Sequence, residues 1–434
     1  MALLGRFGRC PAARLLLLLV VFGRVPVAAA QSACPVPIQN LYVRSVMADL
    51  YLWYNAIPDV DPLSFTSPEA YLEAIRFLPL DSHYSYIDDR AASEAFFSQS
   101  QFIGFGFSSS LGATAIRISQ VFAASPAEEA GLARGDRIVA VDGRTIPDLI
   151  AAGLIGSAFG PSTPGVEREI VFTREGTERS ARMVKRAVTI PTVSATRTFR
   201  VGSRTVGYIF FRNFVEPSFA ALDAAFAELQ AQGANELVLD LRYNGGGLVS
   251  VAQYLAGLIG GARTEGQLLG TYAHNDKHVA DNRELRMRAE THSLSLDRLI
   301  VIATGSSASA SELIVNGLRP FIPVAIIGDR TYGKPVGQYA IPFCDKVIAP
   351  VAFSIRNAND EGDYFDGLPA TCHAADDLDH QLGDPAEASL REAMTFIATN
   401  ACSPSAVPAP SAARLRTRAK PDIGTGTQAL VQAH

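Results

Sequence analysis

The chain has 434 residues, 48% of them apolar and 19% charged, with a formal net charge of −5 at pH 7. That length is enough for two to four domains with substantial cores, and the composition excludes an intrinsically disordered protein. An acidic balance with no basic stripe excludes nucleic acid and anionic lipid as partners.

Residues 1–30 read as a cleaved secretory signal. Arg6, Arg9 and Arg14 precede the apolar run Leu15–Phe22, and the small residues Ala28, Ala29 and Ala30 follow. The run is shorter than the roughly 20 residues of a membrane span, and Arg24 cuts it off. No integral membrane span is expected in the mature chain. Removing Arg6, Arg9, Arg14 and Arg24, and no acid, moves the formal net charge from −5 to −9. Cys10 leaves with the signal. Cys34, Cys344, Cys372 and Cys402 remain, an even number in an exported chain, and are expected in disulfides. Of the three connectivities, Cys344 with Cys372 and Cys34 with Cys402 is the favoured one. Lipidation at Cys34 is disfavoured, because Gln31–Ala33 lacks an apolar residue ahead of the small pair. The expected location is periplasmic or extracellular.

Four zones follow. Residues 31–100 are expected to be a helical front, with apolar residues at helical spacing from Tyr42 to Tyr54 and a Ser67-Pro68 helix start. Residues 101–187 change to short apolar strands with Gly turns: the GFGF run Gly104-Phe105-Gly106-Phe107, an alternating stretch to Val121, then Ser125 to Gly143. In that last segment Ser125-Pro126 opens a short helix, Gly131 ends it, and Arg137–Val141 is a strand closed by Asp142-Gly143. This zone resembles a bacterial PDZ domain. Such a module takes a peptide as an added strand and holds its carboxylate on backbone N–H groups, which makes Gly104, Phe105, Gly106 and Phe107 the candidate peptide-binding residues.

Residues 188–402 alternate strands (Val206–Phe211, Leu237–Leu241, Arg298–Ala303, Val324–Ile327) with helices (Ser218–Gln232, Val249–Leu258), the pattern of a mainly parallel sheet with helices on its faces. Arg263 to Asp297 is expected as an inserted hairpin or loop over the site. Residues 403–434 are rich in Pro, Ala, Ser and Thr without apolar period, and are expected to be a disordered tail.

Three motifs carry chemistry. GSSASASEL (Gly305–Leu313) follows a strand and opens a helix, which puts the Ser309 hydroxyl at the sheet edge with helix N–H groups beside it. Ser309-x-x-Glu312 is also a capping box, and the two readings are compatible. DLRYNGGGL (Asp240–Leu248) is a Gly-rich turn without the Gly-Lys-Ser/Thr ending or G-x-G-x-x-G of a nucleotide loop. TYGKPVGQ (Thr331–Gln338) returns an amine, Lys334, to the same edge, flanked by Tyr332, Pro335 and Val336. A desolvated, neutral amine can take a hydroxyl proton, so a Ser and a Lys suffice for acyl transfer.

In that order and after the PDZ-like zone, VLDLRYNGGG, SASASELI and GDRTYGKPVGQ are similar to the C-terminal processing (tail-specific) proteases of peptidase family S41. The resemblance implies an α+β multidomain fold: an N-terminal helical region, a PDZ-like β domain, and a mainly parallel α/β core of the ClpP/crotonase-like type. It implies Ser309 as nucleophile, with Lys334, 25 positions on, as general base and Gln338 as its positioning partner. The amides of Gly246 and Ala310 would form the oxyanion hole. It further implies peptide or protein substrates with exposed C-termini, and no cofactor or metal. Two departures stand out: Pro335 occupies the place of the usual Gly after the lysine, and Pro320 stands where some members carry an Asp.

The rival readings are a Ser/His/Asp hydrolase with His373 as base, and a PDZ-bearing scaffold or pseudoenzyme that captures tails without cutting them. No G-x-S-x-G, H-E-x-x-H or spaced Cys/His set supports an esterase or a metalloprotein.

Overall fold

The computed structural model describes residues 34–404. The expected signal, Cys10 and nearly all of the expected tail lie outside the described residues. The front begins with the helix Val36–Leu50, which stops short of the expected Tyr54. Leu52 N–H donates to the Val351 carbonyl at 2.8 Å, and the Tyr51 hydroxyl donates to Asp81 at 2.8 Å, so tertiary bonds draw this stretch out of helical geometry. The second helix, Pro68–Ile75, is capped by Ser67, whose hydroxyl accepts the Ala70 N–H at 3.1 Å. A third, Arg90–Gln99, ends at Ser100 in the left-handed region. The front is not purely helical. Its strand Tyr86–Asp89 pairs antiparallel with Lys346–Ala349, far along the chain.

The next zone builds a small antiparallel sheet in the order Phe107–Leu111, Ile116–Val121, Arg137–Val141, Glu167–Arg174, Thr177–Val184. A separate core of Phe105, Phe107, Ile118, Ile138, Phe172 and their neighbours fills it. The helix Pro126–Glu129 starts on the Ser125 cap, as Pro at the first turn predicts.

The main sheet has six strands in the order Val193–Val201, Arg204–Phe211, Glu236–Asp240, Leu299–Ala303, Val324–Gly328, Cys372–His373. The first pair is antiparallel and the others are parallel. Alternation sorts the central strands' side chains between two faces. Ile209, Leu237, Leu239 and Val301 pack toward the helices Ser218–Ala231, Val249–Gly260 and Ala310–Leu318. Tyr208, Phe210, Val238, Ile300 and Ile302 pack toward Leu390, Ala393 and Ile397 of the helix Ala388–Thr399. Burial on both faces is why these strands read as continuous apolar runs. The hairpin expected between Arg263 and Asp297 forms as Leu268–His274 with Arg283–Arg286. It joins Val351–Arg356 and Val336–Gln338 in a four-stranded sheet.

The cysteine pairing differs from expectation. Cys372 bonds Cys402, with Cα atoms 5.4 Å apart and a sequence separation of 30. The pairings Cys344–Cys372 and Cys34–Cys402 are therefore wrong, although Cys34 and Cys344 are disulfide-bonded as well. The cause is the helix Ala388–Thr399, which runs back over the sheet and delivers Cys402 beside the last strand. Among the described residues no helix is long and apolar enough to cross a membrane. Closing a loop of this length is worth about 3–4 kcal/mol. Replacing both Cys372 and Cys402 by Ser is expected to lower the unfolding free energy by that order in denaturant titrations, and an unchanged midpoint would contradict it.

Candidate active site

Ser309 sits between the buried strand Leu299–Ala303 and the helix Ala310–Leu318, with φ 54° and ψ −114°. That is a strained conformation for a residue with a Cβ, costing about 1–3 kcal/mol. The capping geometry expected of Ser309-x-x-Glu312 is present, and its firm half is the Glu312 carboxylate, which accepts the Ser309 N–H at 2.9 Å. In the other half of the box the Ser309 hydroxyl stands toward the Glu312 backbone N–H. Its neighbours in the serine run are occupied: the Ser307 hydroxyl donates to the Leu241 carbonyl at 2.7 Å, and that of Ser311 to the Asn244 carbonyl at 2.9 Å. Both are buried, and of the three only Ser309 lines the cavity.

This cavity, about 630 Å³, is also lined by Lys334, Gln338, Tyr84, Gly246 and Gly247. Hydroxyl and amine thus share one space, although the Lys334 amine is bonded to Gln338 rather than to Ser309. Lys334 Nζ donates to Gln338 Oε1 at 2.5 Å. The Gln338 amide is fixed in turn, donating from Nε2 to the Tyr84 carbonyl at 2.6 Å and the Ala349 carbonyl at 2.8 Å. With that orientation the amine offers a proton to the amide, and a neutral nitrogen keeps its lone pair for another partner. Nζ also lies 5.8 Å from the centre of the Tyr84 ring. Burial lowers the Lys334 pKa from 10.5 to about 8, against the opposing pull of the Asp81 and Glu312 carboxylates. Desolvation wins because an ammonium loses more by leaving water than it regains from acids at a distance.

The Gly-rich loop meets the serine turn directly. Gly246 has φ 100°, and a Cβ there would lie 2.8 Å from both the Ala308 carbonyl oxygen and Ser309 Cβ, so only glycine fits. Its N–H, however, donates to Asn244 Oδ1 at 2.9 Å. The expectation that the Gly246 amide faces an oxyanion therefore fails on this geometry: the Asn244 side chain, anchored by its Nδ2 on the Phe211 carbonyl at 3.0 Å, takes the proton. Among the described residues no acceptor takes the N–H of Gly247 or of Ala310.

Two contributions were not legible as site features. Glu312, fully buried, accepts from Ser309 N, Thr331 Oγ1 (2.6 Å), Gly333 N (2.7 Å) and Lys334 N (2.8 Å), so it binds the serine turn to the lysine loop. The sequence offers it only as a cap. The front supplies the wall of the lysine pocket: Asp81 gathers Tyr51, Tyr84 and Ser85, and the Ser85 hydroxyl accepts the Val351 N–H at 2.9 Å. The compact DSHYSY polar-aromatic run was the available signal.

Other expected residues fall elsewhere. His373 is on the last strand of the main sheet and does not line the cavity, whereas His83, exposed, does. Phe105 and Phe107 are buried in the core of the small β domain. The carbonyls of Phe105 and Gly106 are bonded to the N–H groups of Ala127 and Phe122, both at 2.8 Å. The strand Phe107–Leu111 stands at one end of its sheet.

Comparison with known proteins agrees with this architecture. The model of peptidase family S41 matches residues 205–363, that of the peptidase S41 N-terminal domain residues 39–86, and a PDZ domain model residues 117–155. A carboxy-terminal-processing protease of Bartonella bacilliformis is 27% identical, over 67% of this chain and 64% of its own. A chloroplastic C-terminal processing peptidase of Tetradesmus obliquus is 30% identical, over 51% of this chain and 48% of its own. The chain thus spans about half to two thirds of the length of these curated relatives. A crystal structure from Bacteroides fragilis, described as an S41 protease, superposes with a TM-score of 0.66 at 26% identity, covering 82% of this chain and 96% of the other. The α+β architecture, with a small PDZ-type β domain beside a mainly parallel core, is shared with the Bacteroides fragilis structure, and residues 205–363 match peptidase family S41.

Proposed function

We propose that this protein is an exported serine endopeptidase that cleaves proteins or peptides recognised by their C-terminal tails. The observation that carries the reading is the shared cavity: Ser309, the one serine of its run that lines it, and a buried amine whose pKa is lowered to about 8. In this reading 31–100 is the front domain, 101–187 the PDZ-like domain and 188–402 the protease core. The disulfide-bonded cysteines support an oxidising, extracytoplasmic compartment.

The chemistry follows from the geometry. Neutral Lys334 takes the Ser309 proton as Oγ attacks the substrate carbonyl, and the resulting ammonium then protonates the leaving amine. Water, deprotonated by the same amine, hydrolyses the acyl-enzyme. The developing oxyanion is received by the Ala310 N–H at the helix start and by the uncommitted Gly247 N–H, the neighbour of the donor first expected. Each such donor contributes about 3–4 kcal/mol to the transition state. Gln338 keeps the amine aimed without adding a charge that would protonate it. The edge strand Phe107–Leu111 is the place for a tail to add as a strand, with the amides of Gly104–Phe107 at its carboxylate.

Four outcomes test the reading. Ser309→Ala and Lys334→Ala are each expected to abolish cleavage of tailed peptides while far-UV circular dichroism stays native, with His83→Ala retaining most activity. Normal turnover by Lys334→Ala would remove the amine from the mechanism. Because the base must be neutral, kcat/KM is expected to rise tenfold per pH unit below about 8 and to level off above it. A plateau reaching down to pH 6 would exclude Lys334 as the titrating base. Chelators are expected to leave the rate unchanged, and inhibition by them would indicate a metallohydrolase. Glu312→Gln places an NH₂ against donors, so it is expected to cost at least about 2 kcal/mol in denaturant unfolding and to depress kcat more than KM. Wild-type stability and kcat in that variant would show the carboxylate to be dispensable.

A further inference from the structure

The strand Arg283–Arg286 is the outer member of the four-stranded sheet, and Arg283 stands opposite Tyr272 in its antiparallel ladder. Opposed residues project from the same face of a sheet. This face carries a set of packed rings, with Phe353 4.4 Å from Tyr272 and 5.1 Å from Tyr339 between centroids. Tyr272, Tyr339, Phe353 and Arg283 all line the cavity that holds Ser309 and Lys334. The Arg283 guanidinium lies 4.7 Å from the centre of the Tyr272 ring. A ring face orients a guanidinium in this way while leaving much of its N–H edge for another partner.

No carboxylate is ion-paired with Arg283 among the described residues. The acids nearest in sequence are engaged elsewhere: Asp281 with His278 at 3.0 Å, and Glu284 with Arg286. The other guanidinium of the cavity, Arg90, has Glu94 at 3.8 Å. One cation in an aromatic-walled reaction cavity is therefore left without an anion, and a planar guanidinium is matched best by a carboxylate.

We propose that Arg283 is a specificity-determining residue that receives a carboxylate of the substrate, next to an apolar side chain seated on the Tyr272–Phe353–Tyr339 wall. This rests on the peptidase reading and narrows it: the preferred substrate carries an acidic group within a few residues of the scissile bond. That group is either an Asp or Glu side chain or the terminal carboxylate of a short tail.

The test uses the purified full chain and one apolar peptide in four forms, with Glu or Gln beside the cleaved bond and a free or amidated C-terminus. Wild type is expected to favour one acidic form over its neutral counterpart by about 10- to 100-fold in kcat/KM, chiefly through KM, and less so in high salt. The form that is favoured identifies the source of the carboxylate. Arg283→Gln is expected to bring that ratio close to one, and Arg283→Lys to restore part of it. An equal ratio in wild type and Arg283→Gln, or no preference in wild type, overturns the proposal while leaving Ser309-dependent cleavage intact. Cleavage that survives Ser309→Ala would instead overturn the peptidase reading beneath it.

Discussion

The Glu312 carboxylate, buried and surrounded by four donors, is the joint on which the site turns. Burial pushes its pKa above the ordinary carboxylate value, and bonds from Thr331, Lys334, Gly333 and Ser309 offset part of that push. Charge-assisted bonds of this kind are worth about 1.5–3 kcal/mol each. Their sum exceeds the strain of about 1–3 kcal/mol stored at Ser309, so the serine can be held with its hydroxyl outward at a φ that an isolated turn would refuse. The same carboxylate fixes the backbone of Gly333 and Lys334. Serine turn and lysine loop, some two dozen residues apart in sequence, are thereby referred to one atom group. The Thr331 hydroxyl extends the arrangement by accepting the Leu368 N–H at 2.7 Å.

A second buried charge cluster supports the Gly-rich loop from beneath. Arg242, fully buried, is bonded to Asp240, Glu387 and Asp376. Desolvating so many charges is tolerable only because each is matched within hydrogen-bonding distance. Tyr243 joins this cluster to the small β domain. Its hydroxyl donates to Asp376 at 2.8 Å and accepts from Arg134, a residue of that domain's Gly-Leu-Ala-Arg turn, at 2.7 Å. Arg134 also reaches the carbonyls of Asp377 and His380 at 2.9 Å. Gly246 and Gly247 are therefore three and four positions along the chain from a tie between domains.

What the sequence makes legible is what local pattern determines. The apolar strand runs, the Pro-started helices at Ser67 and Ser125 and the Gly turns are all set by neighbours within a few positions, and these elements stand where the pattern puts them. The serine and lysine motifs are legible for the same reason, since each is a contiguous turn with its own steric demands. The rest depends on partners far along the chain. The Gln338 side chain reaches the Tyr84 carbonyl across 254 positions, and Ser85 reaches Val351 across 266. No periodicity encodes such contacts, so the front reads as a helical appendage although it walls the lysine. The Cys372–Cys402 bridge depends on where the last helix lands, which loop length alone does not determine. The Gly246 donor failed on a finer point. Three consecutive glycines leave the register open, and an Asn two residues earlier takes the middle of the available N–H groups.

Lys334 shows how the parts balance. A carboxylate in the place of Gln338 would orient the amine equally well but would favour the ammonium and remove the proposed base. An apolar side chain there would lower the pKa further but leave the amine unaimed. An amide does neither, because it orients by a dipole without a net charge. The two acids that do raise the Lys334 pKa, Asp81 and Glu312, have their oxygens engaged by other donors and act on the amine only through space. Both are required to hold the backbone of the pocket, so their field is a fixed cost to the base. In the proposed mechanism burial by the front must exceed it, and the remote N-terminal zone then takes part in the acid–base chemistry rather than standing as a scaffold beside it.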